Sequence, residues 1–259
     1  MSKSDHKSLV QHQFGRSADD YATSQVHAAG ESLQVLVNLV SAQSDWSVLD
    51  VATGAGHTAI AFAPLVDHVV ATDITDQMLT TTQQLAETKG VNNLETSLAD
   101  AESLPFGDQC FDLVTCRLAF HHFQNQHQAL TEFARVLKPG GLIGFTDNYT
   151  VDDPDAAGFY NQFETIRDPS HHIVHSLAGL NSLFRKAGFE IHDSKLMAKE
   201  FEFQKWADRQ RVSNSDKEIL LDMLDRTPPA LQHLLKPRKE SGTAYFSLAE
   251  VALVTTPKK

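Results

Sequence analysis

Short apolar runs alternate along this chain with longer amphipathic stretches. The run "WSVLDV" is apolar at most positions and ends in a turn with two glycines, the pattern of a strand buried on both faces of a parallel sheet. "HVVATD", "LETSLA", "FDLVTC" and "GLIGFTDN" read as four further strands, with "LETSLA" the weakest. Between them the period lengthens to that of a helix. Val26, Ala29, Leu33, Leu36, Val37 and Val40 recur at helical spacing, as do Ala129, Phe133, Val136 and Leu137 in "QALTEFARVL". Thr75 is placed to cap the helix that begins "DQML". The later helix is expected to stop at Lys138, because Pro139-Gly140-Gly141 follows. Strands alternating with helices predict an α/β fold with a parallel sheet and right-handed crossovers.

After Asn148 the rhythm changes. Residues from about Val151 to Ala187 read as helical, "FEIHDSKLMAKEFEF" as a long strand, and "KEILLDMLDRTPPALQHLL" as more helix. The closing "TAYFSLAEVALVTT" is β-rich and follows another strand, so it is expected to pair antiparallel.

Composition narrows the function classes. With 259 residues, of which 41% are hydrophobic, the chain supports one sizeable core. A formal net charge of −11 repels phosphate backbones and anionic lipid, so neither nucleic acid nor membrane partners are expected. Lys236, Arg238 and Lys239 form the one basic cluster, and they read as a solvated turn. Cys110 and Cys116 make no disulfide framework; they fit a reducing cytoplasm and a place in or beside the core. "MSKSDHKSLVQHQF" lacks the apolar stretch of a signal peptide, and Met1 to about Gln13 is expected to be mobile until a partner orders it. No apolar run reaches bilayer length. Oligomeric state is left open.

The candidate chemistry starts at the first glycine turn. Gly54-Ala55-Gly56-His57-Thr58-Ala59 satisfies the dinucleotide pattern, and Asp73 closes the second strand nineteen positions after Gly54. Glycines that admit a cofactor and a carboxylate for ribose hydroxyls suit NAD and S-adenosylmethionine (SAM) equally. Asp50 separates the two. It stands four positions before Gly54, where it would oppose a pyrophosphate at short range but attract the ammonium group of a SAM tail. Asp100 and Ala101, after the third strand, supply a carboxylate and a backbone N–H suited to an adenine edge.

The segments "VLDVATGAG", "VVATDITDQML", "ADAESLPFGDQCFDLVTCRLAFHHF" and "ARVLKPGGLIGFTD" resemble the class I SAM-dependent methyltransferases, most of all the branch of quinone-biosynthesis and small-molecule enzymes. "FGRSADDYATS" is similar to the N-terminal lid of that family. The likeness is strong over residues 14–148 and loose from 151 onward. It implies a Rossmann-like, seven-stranded, mostly parallel sheet with an antiparallel last strand and helical lid and cap insertions. The corresponding division is 1–45 for the lid helices, 46–150 for the SAM-binding core, 151–188 for a helical substrate cap, and 189–259 for strands completing the sheet around a helical insertion. By resemblance, Gly54 and Gly56 wrap the methionine tail, with Ala52 in the same turn. Asp73 holds the ribose, Ile74 and Met78 face adenine, and Asp100 and Ala101 read its edge. Arg117 lies near the methionine part, and Tyr21 of the lid closes over the tail.

In "RLAFHHF" the chain resembles plant small-molecule O-methyltransferases, which implies His121 as general base, with Phe123 at the aromatic position. A neutral imidazole takes a hydroxyl proton near pH 7. The alternative is a histidine that shapes the pocket or caps the next helix. His122 is expected to point the other way, although it remains a candidate acceptor contact. This turn departs from that of quinone C-methyltransferases, which points away from a quinone acceptor. "IRDPSHHIVH" adds Arg167 and Asp168 as a clamp for a polar acceptor and His171 facing it, or else an ion-paired loop. Without a Cys cluster or H-E-x-x-H, no metal site is expected. Phe159, Phe163, Phe184, Phe201 and Phe203 either line an apolar pocket or pack the cap. The resulting expectation is methyl transfer from SAM to a small apolar or aromatic metabolite, with release of S-adenosyl-L-homocysteine. The alternatives are an NAD-dependent oxidoreductase and a non-methylating SAM-binding protein of the same fold.

Overall fold

A computed structural model describes residues 3–15 and 30–258. Tyr21, Val26 and Ala29 lie outside the described residues. The core strands are β1 (Ser47–Val51), β2 (His68–Asp73), β3 (Leu94–Leu98), β4 (Phe111–Arg117) and β5 (Leu137–Asn148), followed by β6 (Phe189–Glu202), β7 (Arg238–Glu240) and β8 (Thr243–Pro257). They form one sheet in the order β3-β2-β1-β4-β5-β8-β6, with β7 on β8. The pairs β1–β2, β2–β3, β1–β4 and β4–β5 are parallel. β8 runs antiparallel between β5 and β6, as expected for the terminal segment. The three-residue β7 is an addition that the chain pattern did not signal. Strand order reverses between β1 and β4, which opens a crevice at their carboxyl ends.

The continuous apolar runs have a direct physical reason. Val48 and Leu49 of β1, and Leu113 and Val114 of β4, are fully buried. Alternate residues supply opposite faces. Val48 and Leu113 pack with Leu36, Val40 and Phe62, whereas Leu49 and Val114 pack with Phe133, Phe145 and Phe184. Helix α2 (Glu31–Val40) covers the first face with its amphipathic stripe. Helices α3 (His57–Phe62) and α4 (Asp76–Thr88) follow β1 and β2, and α5 (Gln126–Val136) buries Ala129, Leu130, Phe133 and Val136 completely.

Helix α5 ends at Val136, earlier than Lys138, because Leu137 already pairs with Phe111. The ladder then resumes at Leu113↔Leu142, so Pro139 and its glycines form a bulge inside β5 rather than a break before it. Gly140 has φ +84°, and a Cβ on Gly141 would lie 2.9 Å from the Asp112 carbonyl oxygen. Thr75 occupies the N-cap of α4, but its hydroxyl makes no capping bond. The Asp73 carboxylate instead accepts the Thr75 N–H at 2.9 Å.

Past β5 lie α6 (Pro154–Arg167) and α7 (Leu177–Lys186), capped by Asp153 and Ser176. The long strand β6 leads directly into α8 (Phe203–Arg209), which is followed by α9 (Asn214–Asp225) and α10 (Pro229–Leu235). These helices close a second core in which Phe163 stacks on Trp206 at 5.1 Å and Phe246 meets Trp206 edge-on. Phe163 and Phe203 belong to this core and Phe184 to the main one, so they pack helices onto the sheet. Phe159 packs against the second core, and among the five phenylalanines only Phe201 reaches the cavity described below.

Three further expectations change. The segment expected to be mobile forms helix α1 (Lys3–Gly15) against the site rim. Cys110 is exposed, its Sγ–H donating to the Gly107 carbonyl, while Cys116 is buried. Arg238 and Lys239 are ion-paired with Glu200 and Asp225. No described helix is long and apolar enough to cross a membrane.

The contact between α2 and β5 is tight at Gly144, where an added Cβ would sit 2.8 Å from Val40 Cγ2. Gly144→Ala is expected to cost about 1–3 kcal/mol by overpacking. Adding Val40→Ala should make the pair less destabilising than the sum of the two single changes. Urea unfolding of the four proteins measures this.

Candidate active site

One cavity runs across the carboxyl ends of β1, β2 and β4 and continues under α6 and α8. Its first end is built from the turn after β1. Ala52 takes φ +52° and Gly54 φ +57°, and the hydroxyl of Thr82 donates to the Gly54 carbonyl at 2.8 Å. Gly56 is outside the cavity wall. Its φ is +82°, and a Cβ there would lie 2.5 Å from Thr82 Cγ2, so glycine lets the turn close onto α4.

Asp50 is 1% exposed. Its carboxylate accepts from Thr53 Oγ1 at 2.5 Å, Thr115 Oγ1 at 2.6 Å and the Ala59 N–H at 3.2 Å. Burial raises its pKa to about 6, against the lowering effect of those hydroxyls and of Arg117. Asp50 borders the cavity, but its hydrogen bonds in this structure tie strand to turn rather than reach outward.

Asp73 closes β2, with Oδ2 accepting from Gly54 N–H at 3.0 Å and Oδ1 from Thr75 N–H. Burial raises its pKa. Ile74, Met78 and Ala101 supply an apolar wall beside it. Asp100 accepts from the Glu102 N–H at 2.9 Å and from Lys7 Nζ at 2.5 Å. Arg117 lines the same space, its Nε–H donating to Thr58 Oγ1 at 3.0 Å. An apolar slot flanked by two carboxylates fits a flat heterocycle carrying ribose hydroxyls, so the residues present suit the adenosyl part of SAM.

Helix α1 roofs this end through contacts that its polar sequence did not advertise. Lys7 also reaches Glu102 at 3.2 Å, Gln11 donates to the Ile74 carbonyl at 2.8 Å, and His6 donates to the His122 carbonyl at 3.0 Å.

At the far end stands an imidazole cluster. His121 Nδ1 donates to Asp147 Oδ1 at 2.6 Å, and the His121 backbone N–H donates to Asp147 Oδ2 at 2.9 Å. This fixes both tautomer and ring orientation, leaving Nε2 as the basic nitrogen. No described residue hydrogen-bonds that atom. His122 does not turn away: its ring lies 4.2 Å from that of His121, and its Nδ1 donates to the Ser170 carbonyl at 2.9 Å. His171 sits 5.6 Å from His121 and donates through Nε2 to Asn161 Oδ1 at 2.8 Å.

Electrostatics select one ring for the proton. Burial and then the His121 charge push the His122 pKa down to about 4. The same two causes, in the same order, hold His171 far below its usual value. Burial also opposes the charge on His121, but Asp147, Glu164 and Asp168 outweigh it, so its pKa is raised.

Asp168 does not clamp toward the cavity with Arg167. Its carboxylate accepts from Ser170 N–H, Ser170 Oγ and Gln210 Nε2. Arg167 instead lies 3.8 Å from Glu164 and 4.5 Å from the centre of the Trp206 ring. Asp147, Glu164, Lys199, Trp206 and Arg209 were not singled out in the sequence. Only Asp147 carried a signal, as an acid closing an apolar strand in "GFTDN". No cluster of three or more metal-binding side chains appears among the described residues.

Residues 49–145 match the family described as "Methyltransferase domain". The chain is 36% identical to the uncharacterized methyltransferase YcgJ of Bacillus subtilis, over 80% of this chain and 82% of that protein. It superposes on the crystal structure of a putative methyltransferase from Bacillus halodurans with a TM-score of 0.83 and 35% identity, over 88% of this chain and 99% of that one. A shorter match, 41% identical over 39% of this chain and 41% of the relative, is to the ubiquinone/menaquinone biosynthesis C-methyltransferase UbiE of Blochmanniella pennsylvanica.

Asp73→Ala is expected to weaken SAM binding about tenfold or more, through loss of charge-assisted contacts to the ribose. Titration calorimetry on the folded variant checks it, and unchanged affinity would remove Asp73 from the site.

Proposed function

On the premise that this chain belongs to the SAM-dependent methyltransferases, we propose that it methylates a proton-bearing group, a hydroxyl, on a small aromatic acceptor, with His121 as general base. The observation that carries this reading is the Asp147–His121 pair at 2.6 Å, which takes Nδ1 and leaves Nε2 as the basic nitrogen of a residue that lines the cavity. Bound SAM supplies an activated methyl group on a good sulfonium leaving group, so the protein chiefly positions the reactants and removes a proton.

In this reading Asp73 and Asp100 orient the adenosyl part, and Gly54, Ala52 and Arg117 border the methionine tail. Tyr21, which lies outside the described residues, keeps its proposed place over that tail. His121 Nε2 accepts the acceptor's proton as nucleophilic charge develops on oxygen. Asp147 stabilises the imidazolium that results without taking the proton itself. His122 and His171, held neutral, shape the wall around it. Arg167 meets the polar end of the acceptor. Family membership sets aside the NAD-dependent reading. A non-methylating relative of the same fold is separated by S-adenosyl-L-homocysteine release with an acceptor panel.

His121→Ala is expected to retain SAM affinity and to lower turnover about 10²–10⁴-fold, the range for a lost general base. Turnover at the wild-type level would leave His121 as a pocket wall.

Activity should rise with pH as His121 loses its proton. Asp147 raises that pKa, so Asp147→Asn is expected to move the acid limb of the pH–rate profile to lower pH while reducing the maximum. A limb that stayed in place would assign the titration to another group.

A further inference from the structure

The reading above gives Arg167 only an unspecified polar end of the acceptor and gives Glu164, on the same helix α6, no contact with it. Glu164 and Arg167, one helical turn apart, both line the far end of the cavity. Their side chains are only 5% and 13% exposed. Glu164 Oε1 and Arg167 Nε nonetheless have no hydrogen-bond partner. Their mutual separation of 3.8 Å is an ion pair without a hydrogen bond. One group is an acceptor lacking a donor, and the other is a charged donor lacking an acceptor. Buried polar atoms are ordinarily satisfied, so this pair marks a place where a ligand completes the pairing.

The surroundings state what kind of ligand. The Arg167 guanidinium lies over the Trp206 ring. On the same cavity wall Lys199 Nζ is 5.7 Å and the Arg209 guanidinium 6.0 Å from the centre of Phe201. Three cationic heads therefore border two aromatic faces, in a chain whose net charge is −11. The carboxylates nearby do not satisfy Arg167 Nε. Asp168 is bonded to Ser170 and Gln210, and Glu250, on β8, faces the cavity from the sheet side. A planar guanidinium with a free N–H in a half-dry aromatic slot is matched to a carboxylate on a flat ring. Glu164 Oε1 is matched to a hydroxyl proton on the same molecule.

We propose that the acceptor is an aromatic carboxylic acid carrying two hydroxyls, its carboxylate held by Arg167 beside Lys199 and Arg209, its ring against Trp206 and Phe201, one hydroxyl donated to Glu164 and the other left to His121 for methylation. The proposal rests on the methyl-transfer reading for the identity of the site as the acceptor end. It narrows a small aromatic acceptor to an anionic one, and it disfavours long uncharged isoprenoid acceptors.

The test uses the full chain saturated with S-adenosyl-L-homocysteine and matched pairs of probes: dihydroxybenzoic, dihydroxycinnamic and dihydroxynaphthoic acids, each against its own carboxamide. Equilibrium binding is the primary readout, and methyl transfer from SAM is the second. At least one acid is expected to bind about tenfold or more tightly than its amide, the discrimination of a charge-assisted contact. Arg167→Gln is expected to bring that ratio to about one, with S-adenosyl-L-homocysteine affinity unchanged. Glu164→Gln is expected to weaken a dihydroxy acid more than its monohydroxy counterpart. The inference is overturned if no acid outbinds its amide, or if the preference survives in folded Arg167→Gln. Should that variant fail to fold, the wild-type pairs decide the matter alone. Acid selectivity without methyl transfer would count against the proposed function and uphold this site. Methyl transfer to amides as readily as to acids would do the reverse.

Discussion

The buried carboxylate of Asp50 is the constraint on which the rest of the site depends. Parallel strands end in backbone that has no ladder partner ahead of it, and the turn after β1 must be anchored by something else. Asp50 provides that anchor by accepting from Thr53 in the turn, Ala59 in the following helix and Thr115 on the neighbouring strand. The raised pKa, about 6, shows that burial works against the charge and that the hydroxyls only partly compensate. In return the turn is held against β4, which brings the Gly54 N–H onto Asp73 and Thr58 onto Arg117. An acid that spacing alone assigns to a ligand's ammonium group thus organises the protein's own scaffold.

The two ends of the cavity are built on different physics. The first relies on backbone shape: positive φ at Ala52 and Gly54, and strand-end carboxylates beside an apolar wall. These features come from the sheet and the turns at its strand ends. The second relies on side chains delivered from separate elements, with Asp147 from β5, His121 from the turn after β4, Arg167 from α6 and Trp206 from α8. The far wall therefore draws on four separate elements, whereas the first end draws on the strand ends and their turns.

Legibility in the sequence follows the same division. β1, β2 and β4 were readable because they are buried on both faces and so show unbroken apolar runs. The start of β5 was not, since a proline and two glycines ordinarily mark a break, whereas here they fill a bulge that keeps β5 paired. Helix α1 gave no amphipathic signal because polar contacts hold it to the rim. Its Lys7 reaches a carboxylate on Asp100, 93 positions later in the chain. His121 was legible from its turn, but its partner Asp147 lies 26 positions away, a pairing that only the parallel sheet creates. Glu164 sits on a helix whose spacing says only that it is a helix, and Trp206 and Arg209 sit on the short α8, which the chain pattern did not signal. The placement of His122 beside His121 depends on the short 3-10 turn Phe120–His122, which local pattern does not reveal.

Helix α1 touches both halves of the trough, through Lys7 to Asp100 and Glu102 on one side and through His6 to the carbonyl of His122 on the other. A single helix is thus fastened across one continuous cavity. The same helix therefore contributes to the cover of both ends through two adjacent side chains, His6 and Lys7.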